Sequence, residues 1–344
     1  MTGLRAPVRV DVLTGFLGAG KTSLLRRLIA AGALPNTVFL VNEAADFPLD
    51  ERLIGAIAGE AGVAAGAVDA LAGRCVCCAV DSELREGLMA LVSARGAGTL
   101  PAFDRVVVET SGMADPTPIG ATIEADPVLK PRFRFGSVVA LADGLNLADT
   151  LDTEAEALDQ LIAADRILLT KADLAGPDVI DRACATIAAV NPFVPILAVD
   201  PKQPPADPWQ GMAHHHAAAG KPHAHSHRHS LTAFVVRWPD PVDWATFSTW
   251  LSLLLHRHGD KILRLKGLIR VAGEAAAEPV VVQAVRHLVY PPEHLRAGVA
   301  DDLSGAELAV IARGIDADRL ARSFAAFMGL SGTEAAAQLE VLSA

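Results

Sequence analysis

Residues Gly15-Phe16-Leu17-Gly18-Ala19-Gly20-Lys21-Thr22 leave few folds open to this chain. They match the pattern G-x-x-x-x-G-K-T, follow an apolar run from Arg9 to Thr14, and open a stretch with helical periodicity from Lys21 to Ala31. Glycines let the backbone turn back so that successive N–H groups converge on an anion. The positive end of the following helix adds to the same field. Strand, tight turn and helix in this order begin a parallel α/β sheet. Val-, Leu- and Ile-rich runs at 37–42, 105–109, 137–142, 166–170 and 195–199, with helical stretches at 82–94 and 154–164 between them, continue it. The expected fold class is α/β: a P-loop, doubly wound, mainly parallel sheet followed by a smaller α+β C-terminal domain.

A chain of 344 residues exceeds one compact unit. The expected organisation is a P-loop domain over 7–200, a linker over 201–230 and an α+β domain over 231–330. Pro201, Pro204, Pro205, Pro208 and Pro222 punctuate the linker, which also carries seven histidines and little that could form a core. In the last domain, 231–238, 262–271 and 279–290 read as strands, and 241–258 and a stretch near the C-terminus as helices. Lys and Arg total 30 against 40 Asp and Glu, and a net charge of −10 repels a phosphate backbone, so no nucleic acid is expected as a partner. No membrane association is expected either, because the longest small-residue stretch, Ala56 to Gly73, is interrupted by Glu60 and Asp69. Met1 to Arg9 leaves no room for a cleaved leader, and three of the four cysteines crowd into residues 75–78, too close for an unstrained disulfide. A reducing, cytoplasmic setting is the expectation.

The glycine-rich turn calls for a nucleotide. Gly15, Gly18, Ala19, Gly20 and Ser23 form the predicted phosphate cradle, Lys21 supplies a point charge to the outer phosphates, and Thr22 offers a hydroxyl to Mg²⁺. Arg105 to Glu109 is a strand ending in a carboxylate, which makes Glu109 the second Mg²⁺ candidate; Gly112 just beyond it can offer its N–H to the terminal phosphate. Lys21, Thr22 and Glu109 are the expected catalytic residues. Arg166 to Asp173 is a buried strand emerging into Thr170-Lys171-Ala172-Asp173. A carboxylate there pairs with the two donors on the edge of guanine, and adenine lacks that donor pair. Thr170, Lys171 and Asp173 are therefore assigned to the base, with GTP as the nucleotide and its hydrolysis to GDP and phosphate as the reaction.

Cys75-Val76-Cys77-Cys78 places three soft sulfur ligands within four residues, a set that favours a transition metal over Mg²⁺ or Ca²⁺. His214, His215, His216, His223, His225, His227 and His229 form a second, weaker set, dense enough to chelate borderline metals on any backbone. Two other readings use parts of this inventory: a passive metal buffer with no nucleotide dependence, and a P-loop kinase acting on a small molecule. A structural zinc site is a third, in which metal removal unfolds the chain.

Taken together, Gly15 to Thr22, the Cys75–Cys78 cluster, Glu109-Thr110-Ser111-Gly112-Met113-Ala114-Asp115-Pro116, Thr170 to Asp173 and the histidine-rich linker resemble the CobW family of metallochaperone GTPases. The resemblance runs from about residue 8 to 295, since Ile262-Leu263-Arg264-Leu265-Lys266-Gly267 is similar to the signature of that family's C-terminal domain. It implies a GTP-hydrolysing metallochaperone that hands Zn²⁺ or Co²⁺ to a metal-requiring client protein, with a homodimer as one assembly option. Thr170 stands where many members have asparagine, Ala44-Ala45-Asp46 where Phe-Gly-Glu is common, and Arg74 where a glycine precedes the first cysteine. Glu43 is the fourth ligand candidate. The cysteines lie in sequence between 43–50, which would sense the terminal phosphate, and the turn at 109–115, so one rearrangement could reach both sites. Intrinsic turnover is expected to be slow, as no residue stands out to orient the attacking water.

Overall fold

The structure, a computed structural model, describes residues 6–41, 68–70, 76–203, 206–211, 231–273, 278–295, 303–330 and 338–342, with backbone alone at 68–70, 76–83 and 338–342. The chain divides into two compact units, residues 1–184 with 194–215 and residues 185–193 with 216–344.

In the first unit, strands β1 (Val8–Gly15), β2 (Thr37–Val41), β3 (Val68–Ala70), β4 (Arg105–Glu109), β5 (Phe133–Asp143), β6 (Arg166–Thr170) and β7 (Ile196–Ala198) form one sheet in the order β3-β2-β4-β1-β5-β6-β7. Each described pairing is parallel, with Leu13 of β1 beside Glu109 of β4 and Thr14 beside Ala140 of β5. Strands buried on both faces must be apolar throughout, and the five residues of β2 are all buried. The helices α1 (Lys21–Ala30), α2 (Val76–Ala97), α3 (Thr117–Ala125), α4 (Leu147–Thr153), α5 (Ala155–Ala163) and α6 (Pro177–Val190) complete the α/β alternation. One core gathers Val10, Val12, Val106 and Val108 with Leu84, Leu88, Leu91, Ile119 and Ile123; another sets Leu13, Val107 and Val139 against Leu24, Leu25 and Leu28 of α1. Strand order reverses around β1, so the crevice at the C-terminal ends of β1 and β4 is the topological switch point at which such sheets bind ligands.

The second unit holds a mostly antiparallel sheet of β8 (Leu231–Trp238), β9 (Ile262–Ile269), β10 (Val280–Val285), β11 (Leu288–Val289), β12 (Glu293–His294), β13 (Ala306–Arg313) and β14 (Gln338–Leu342). Helices α7 (Trp244–His258) and α8 (Ala317–Gly329) accompany it. Each helix starts on an aspartate: Asp243 accepts from Thr246 N at 2.8 Å, and Asp316 from Arg319 N at 3.0 Å. Trp238, Phe247, Trp250 and Phe324 fill its core, with Trp250 and Phe324 centroids 4.8 Å apart.

Several boundaries differ from the sequence reading. β3 is too short to show a pattern, β5 starts at Phe133, and α2 starts at Val76, six residues before the periodicity at 82–94. The run 279–290 breaks at a turn where Arg286 has φ 52°, and β13 carries the centre of the sheet unforeseen. Within the span read as linker, Trp209 is 2% exposed in the core of α1 and β1. Asp207 pairs with Arg105 at 2.7 Å, and Arg166 donates to the carbonyls of Pro208 at 2.6 Å and Gln210 at 3.1 Å. A proline-rich stretch with one tryptophan suffices to cap a core that its neighbours leave open.

Candidate functional site

The turn after β1 is built on positive φ angles at Gly15 (141°), Gly18 (73°) and Gly20 (94°). At Gly15 a Cβ would also stand 2.5 Å from the Leu141 carbonyl oxygen, so both conformation and space demand glycine there. Gly20 caps α1 with no side-chain hydrogen bond, and the positive end of the helix dipole faces the turn, as suits an anion. Lys21 is buried, and its Nζ donates to Gly15 O at 2.7 Å, which holds the ammonium under the loop.

At the second residue of α1, Thr22 donates its hydroxyl to Glu109 Oε1 at 2.8 Å, and Glu109 is 3% exposed at the end of β4. Two oxygen donors from adjacent elements at the switch point are the hard set that suits Mg²⁺. The chain after Glu109 is fastened to β1: Thr110 N donates to Leu13 O at 2.9 Å and Thr110 Oγ1 to Thr14 Oγ1 at 2.8 Å. Gly112 follows, and a Cβ there would meet Leu17 Cδ2 and stand 2.8 Å from Leu17 N; the two loops touch backbone to backbone.

The base segment comes from β6. Thr170, buried, donates Oγ1 to Ala19 O at 2.9 Å and to Ala142 O at 3.1 Å, which joins the end of β6 to the phosphate turn through one hydroxyl. Lys171 adopts a left-handed φ of 58°, and its Nζ donates to Asp143 Oδ2 at 2.7 Å. Burial works against the Asp143 carboxylate, yet hydrogen bonds from Lys171, Asn146 and the Leu145 N–H outweigh it and hold its pKa below the usual value. Asp173 lies exposed in the short 3-10 turn Ala172–Leu174.

The structure thus brings Gly15, Gly18, Ala19, Gly20, Lys21, Thr22, Glu109 and Gly112 to one crevice, with Thr170 tied to it and Lys171 and Asp173 following. Ser23 lies on the exposed side of α1. Cys77 and Cys78 stand in the first turn of α2; Cys75, Glu43 and the histidines 214–229 lie outside the described residues. Among the described residues no group of three or more His, Cys, Asp or Glu side chains gathers to hold a metal ion.

Sequence reasoning missed Gln160. It is 1% exposed on α5, and its Nε2 donates to the carbonyls of Gly112 at 3.1 Å and Ala114 at 3.0 Å, which fixes the loop beyond Glu109. The available signal was an amide set among Leu158, Leu161 and Ile162 on an apolar helix face. Asp143 was missed too, although a carboxylate at the C-terminal end of a parallel strand points to the ligand rim.

Residues 9–198 match the CobW/HypB/UreG nucleotide-binding domain, and residues 231–328 match the cobalamin synthesis protein CobW C-terminal domain. The chain belongs to the CobW/HypB/UreG family. Among similar proteins, the zinc chaperone YjiA of Escherichia coli is 33% identical over 279 residues, 78% of this chain and 83% of that protein. The zinc chaperone CobW of Pseudomonas aeruginosa is 28% identical over 346 residues, covering 90% and 89%. The crystal structure of Zn(II)-bound YjiA GTPase from Escherichia coli superposes with a TM-score of 0.66 at 26% identity, covering 94% of this CobW-family chain and 99% of that one. No described helix is long and apolar enough to cross a membrane.

Proposed function

We propose that this chain is a cytoplasmic GTPase that holds Zn²⁺ on Cys75, Cys77, Cys78 and Glu43 and hands it to a metal-requiring client, with nucleotide state setting how tightly the ion is held. The observation that carries the reading is mechanical. α2 starts at the cysteines and packs along α3, which starts where the loop from Glu109 ends: Leu84, Leu88 and Leu91 of α2 meet Ile119 and Ile123 of α3. Arg85 Nε reaches Asp126 Oδ2, at the end of α3, at 2.6 Å. A shift of the loop at 109–116 therefore moves the base of the cysteine segment through packed side chains, which rearrange in discrete steps. The family's two domains and relatives named as zinc chaperones support zinc as cargo.

In this reading the N–H groups of the turn at 15–20 and the start of α1 cradle the phosphates, and Lys21 turns its ammonium to the outer ones. Thr22 and Glu109 hold Mg²⁺, which when bound supplies charge neutralisation to the terminal phosphates. Gly112 offers its N–H to the phosphoryl group being cleaved. Asp173 accepts the two hydrogen bonds from guanine, while Asp143 fixes Lys171 beside it. The histidines at 214–229 serve as a weak reservoir. Asp173→Asn is expected to shift preference from GTP towards xanthosine triphosphate; ATP preferred by the unchanged chain removes the base assignment. The decisive experiment is Zn²⁺ affinity measured with a non-hydrolysable GTP analogue and with GDP. Linkage requires the same factor to appear in nucleotide affinity with and without metal. Equal zinc affinities in both nucleotide states sink the delivery reading.

A further inference from the structure

The second unit has a cavity that the proposed function does not use. It measures about 450 Å³ and lies between the C-terminal half of α7 and the length of α8 from Arg319 to Phe327. Trp250 forms its floor, 1% exposed, with its indole Nε1 donating to Ser323 Oγ at 3.3 Å. Leu253, Leu254 and Phe327 line the walls, and Leu253 leaves 54% of its surface in water, which is costly for an isolated apolar side chain and natural for one awaiting a partner. Arg257, Lys261 and Arg319 ring the mouth, and among the described residues none of the three forms a side-chain ion pair. Asp316, the one carboxylate at the lining, is engaged as the cap of α8.

We infer that this cavity docks a short acidic segment of the protein that receives the metal, with one leucine- or phenylalanine-sized side chain on Trp250 and flanking carboxylates against Arg257, Lys261 and Arg319.

Three features carry the choice of occupant. The volume falls in the range of about 300–1,000 Å³ in which cavities bury a sizeable apolar group. The mouth carries three permanent cations on a chain whose net charge is −10. An acidic partner is repelled by the overall field and attracted here, so the patch sets orientation as well as attraction. Finally, His258 at the same mouth has its pKa lowered, first by burial and then by Arg257, Lys261 and Arg319, so the cations act on a common space that a carboxylate would neutralise. A nucleic acid is the poorer fit, since three cations around an apolar well offer neither a phosphate track nor stacking faces in series.

The partner's role rests on the delivery reading, but docking itself needs neither nucleotide nor zinc, so each can fail alone. The test uses the full chain and a fluorescein-labelled peptide of alternating glutamate and leucine, followed by anisotropy. Saturable binding is expected, weakened about tenfold by the exposed double change Arg257→Glu with Lys261→Glu and weakened again by salt, as screening shortens the reach of the cations. Leu253→Ser is expected to weaken it by a smaller factor. GTP turnover should be unchanged in all of these variants, and the His258 imidazole signal should titrate at higher pH in the complex. Absence of binding, equal affinity after the double charge reversal, or equal binding of a lysine–leucine peptide overturns the inference. So does benzoate competing at the peptide's own affinity, which marks a small-anion pocket.

Discussion

Replacing Gln160 by leucine removes two hydrogen bonds and little else. The side chain is buried, its Nε2 holds the carbonyls of Gly112 and Ala114, and its Oε1 is itself buried with no hydrogen-bond partner among the described residues. Each lost bond costs about 1 kcal/mol net, so the loop beyond Glu109 becomes about 2 kcal/mol easier to displace. Burying the amide oxygen without a partner already costs the native protein about 1 kcal/mol or more, and leucine recovers that. Gln160→Leu is therefore expected to lower global stability by less than about 1 kcal/mol while slowing GTP turnover by roughly tenfold to thirtyfold, because about 2 kcal/mol of loop order converts to that factor in rate. Phosphate release under single-turnover conditions reads the rate, and urea unfolding reads the stability. Unchanged turnover, or a loss of activity that tracks a loss of stability, would refute the reasoning.

Thr22→Val deletes the hydroxyl that meets Glu109 and keeps the shape of the side chain; Mg²⁺-dependent GTP turnover should fall at least about 100-fold with the melting temperature nearly unchanged, and a smaller effect excludes Thr22 from the metal. Trp209→Ala opens the core between α1 and β1, so unfolding should become easier by about 3–5 kcal/mol; a change under about 1 kcal/mol means that the 206–211 segment is not part of the core. Asp143 has a depressed folded pKa, so its contribution is present above the unfolded value of 3.8 and lost as pH falls through the lower folded value. Thermal melts of the native chain and Asp143→Asn should thus differ at pH 6, and the gap should narrow as pH falls below 3.8 towards the depressed folded value; a gap that does not narrow on acidification points to a cause other than ionisation.

The parallel sheet was legible because buried strands leave continuous apolar runs and the glycine turn fixes their polarity. β3 was not legible, since three residues carry no period, and neither was the start of α2, where Val76 to Asp81 has cysteines and alanine in place of an apolar stripe. β13 alternates weakly towards its end, because Val310 and Ala312 face one core while Ile311 faces a second cluster with Ala233 and Val235. At the site, the residues of the phosphate turn stood out because their spacing is the chemistry. Gln160 and Asp143 act through tertiary contacts to loops 48 and 28 residues away, a relation that no local pattern contains. Trp238 and Trp250 are core residues, as aromatics at that spacing usually are, and Trp250 also floors a cavity.

The Thr170 hydroxyl, shared between the Ala19 and Ala142 carbonyls, has a chemical corollary. Under the proposed function, recognition of the purine and grip on the triphosphate meet at that one atom, so the two halves of a nucleotide would not act as separable ligands. Guanosine and pyrophosphate supplied together should fall far short of what the intact molecule achieves, and a methyl group in place of that oxygen should loosen both ends at once.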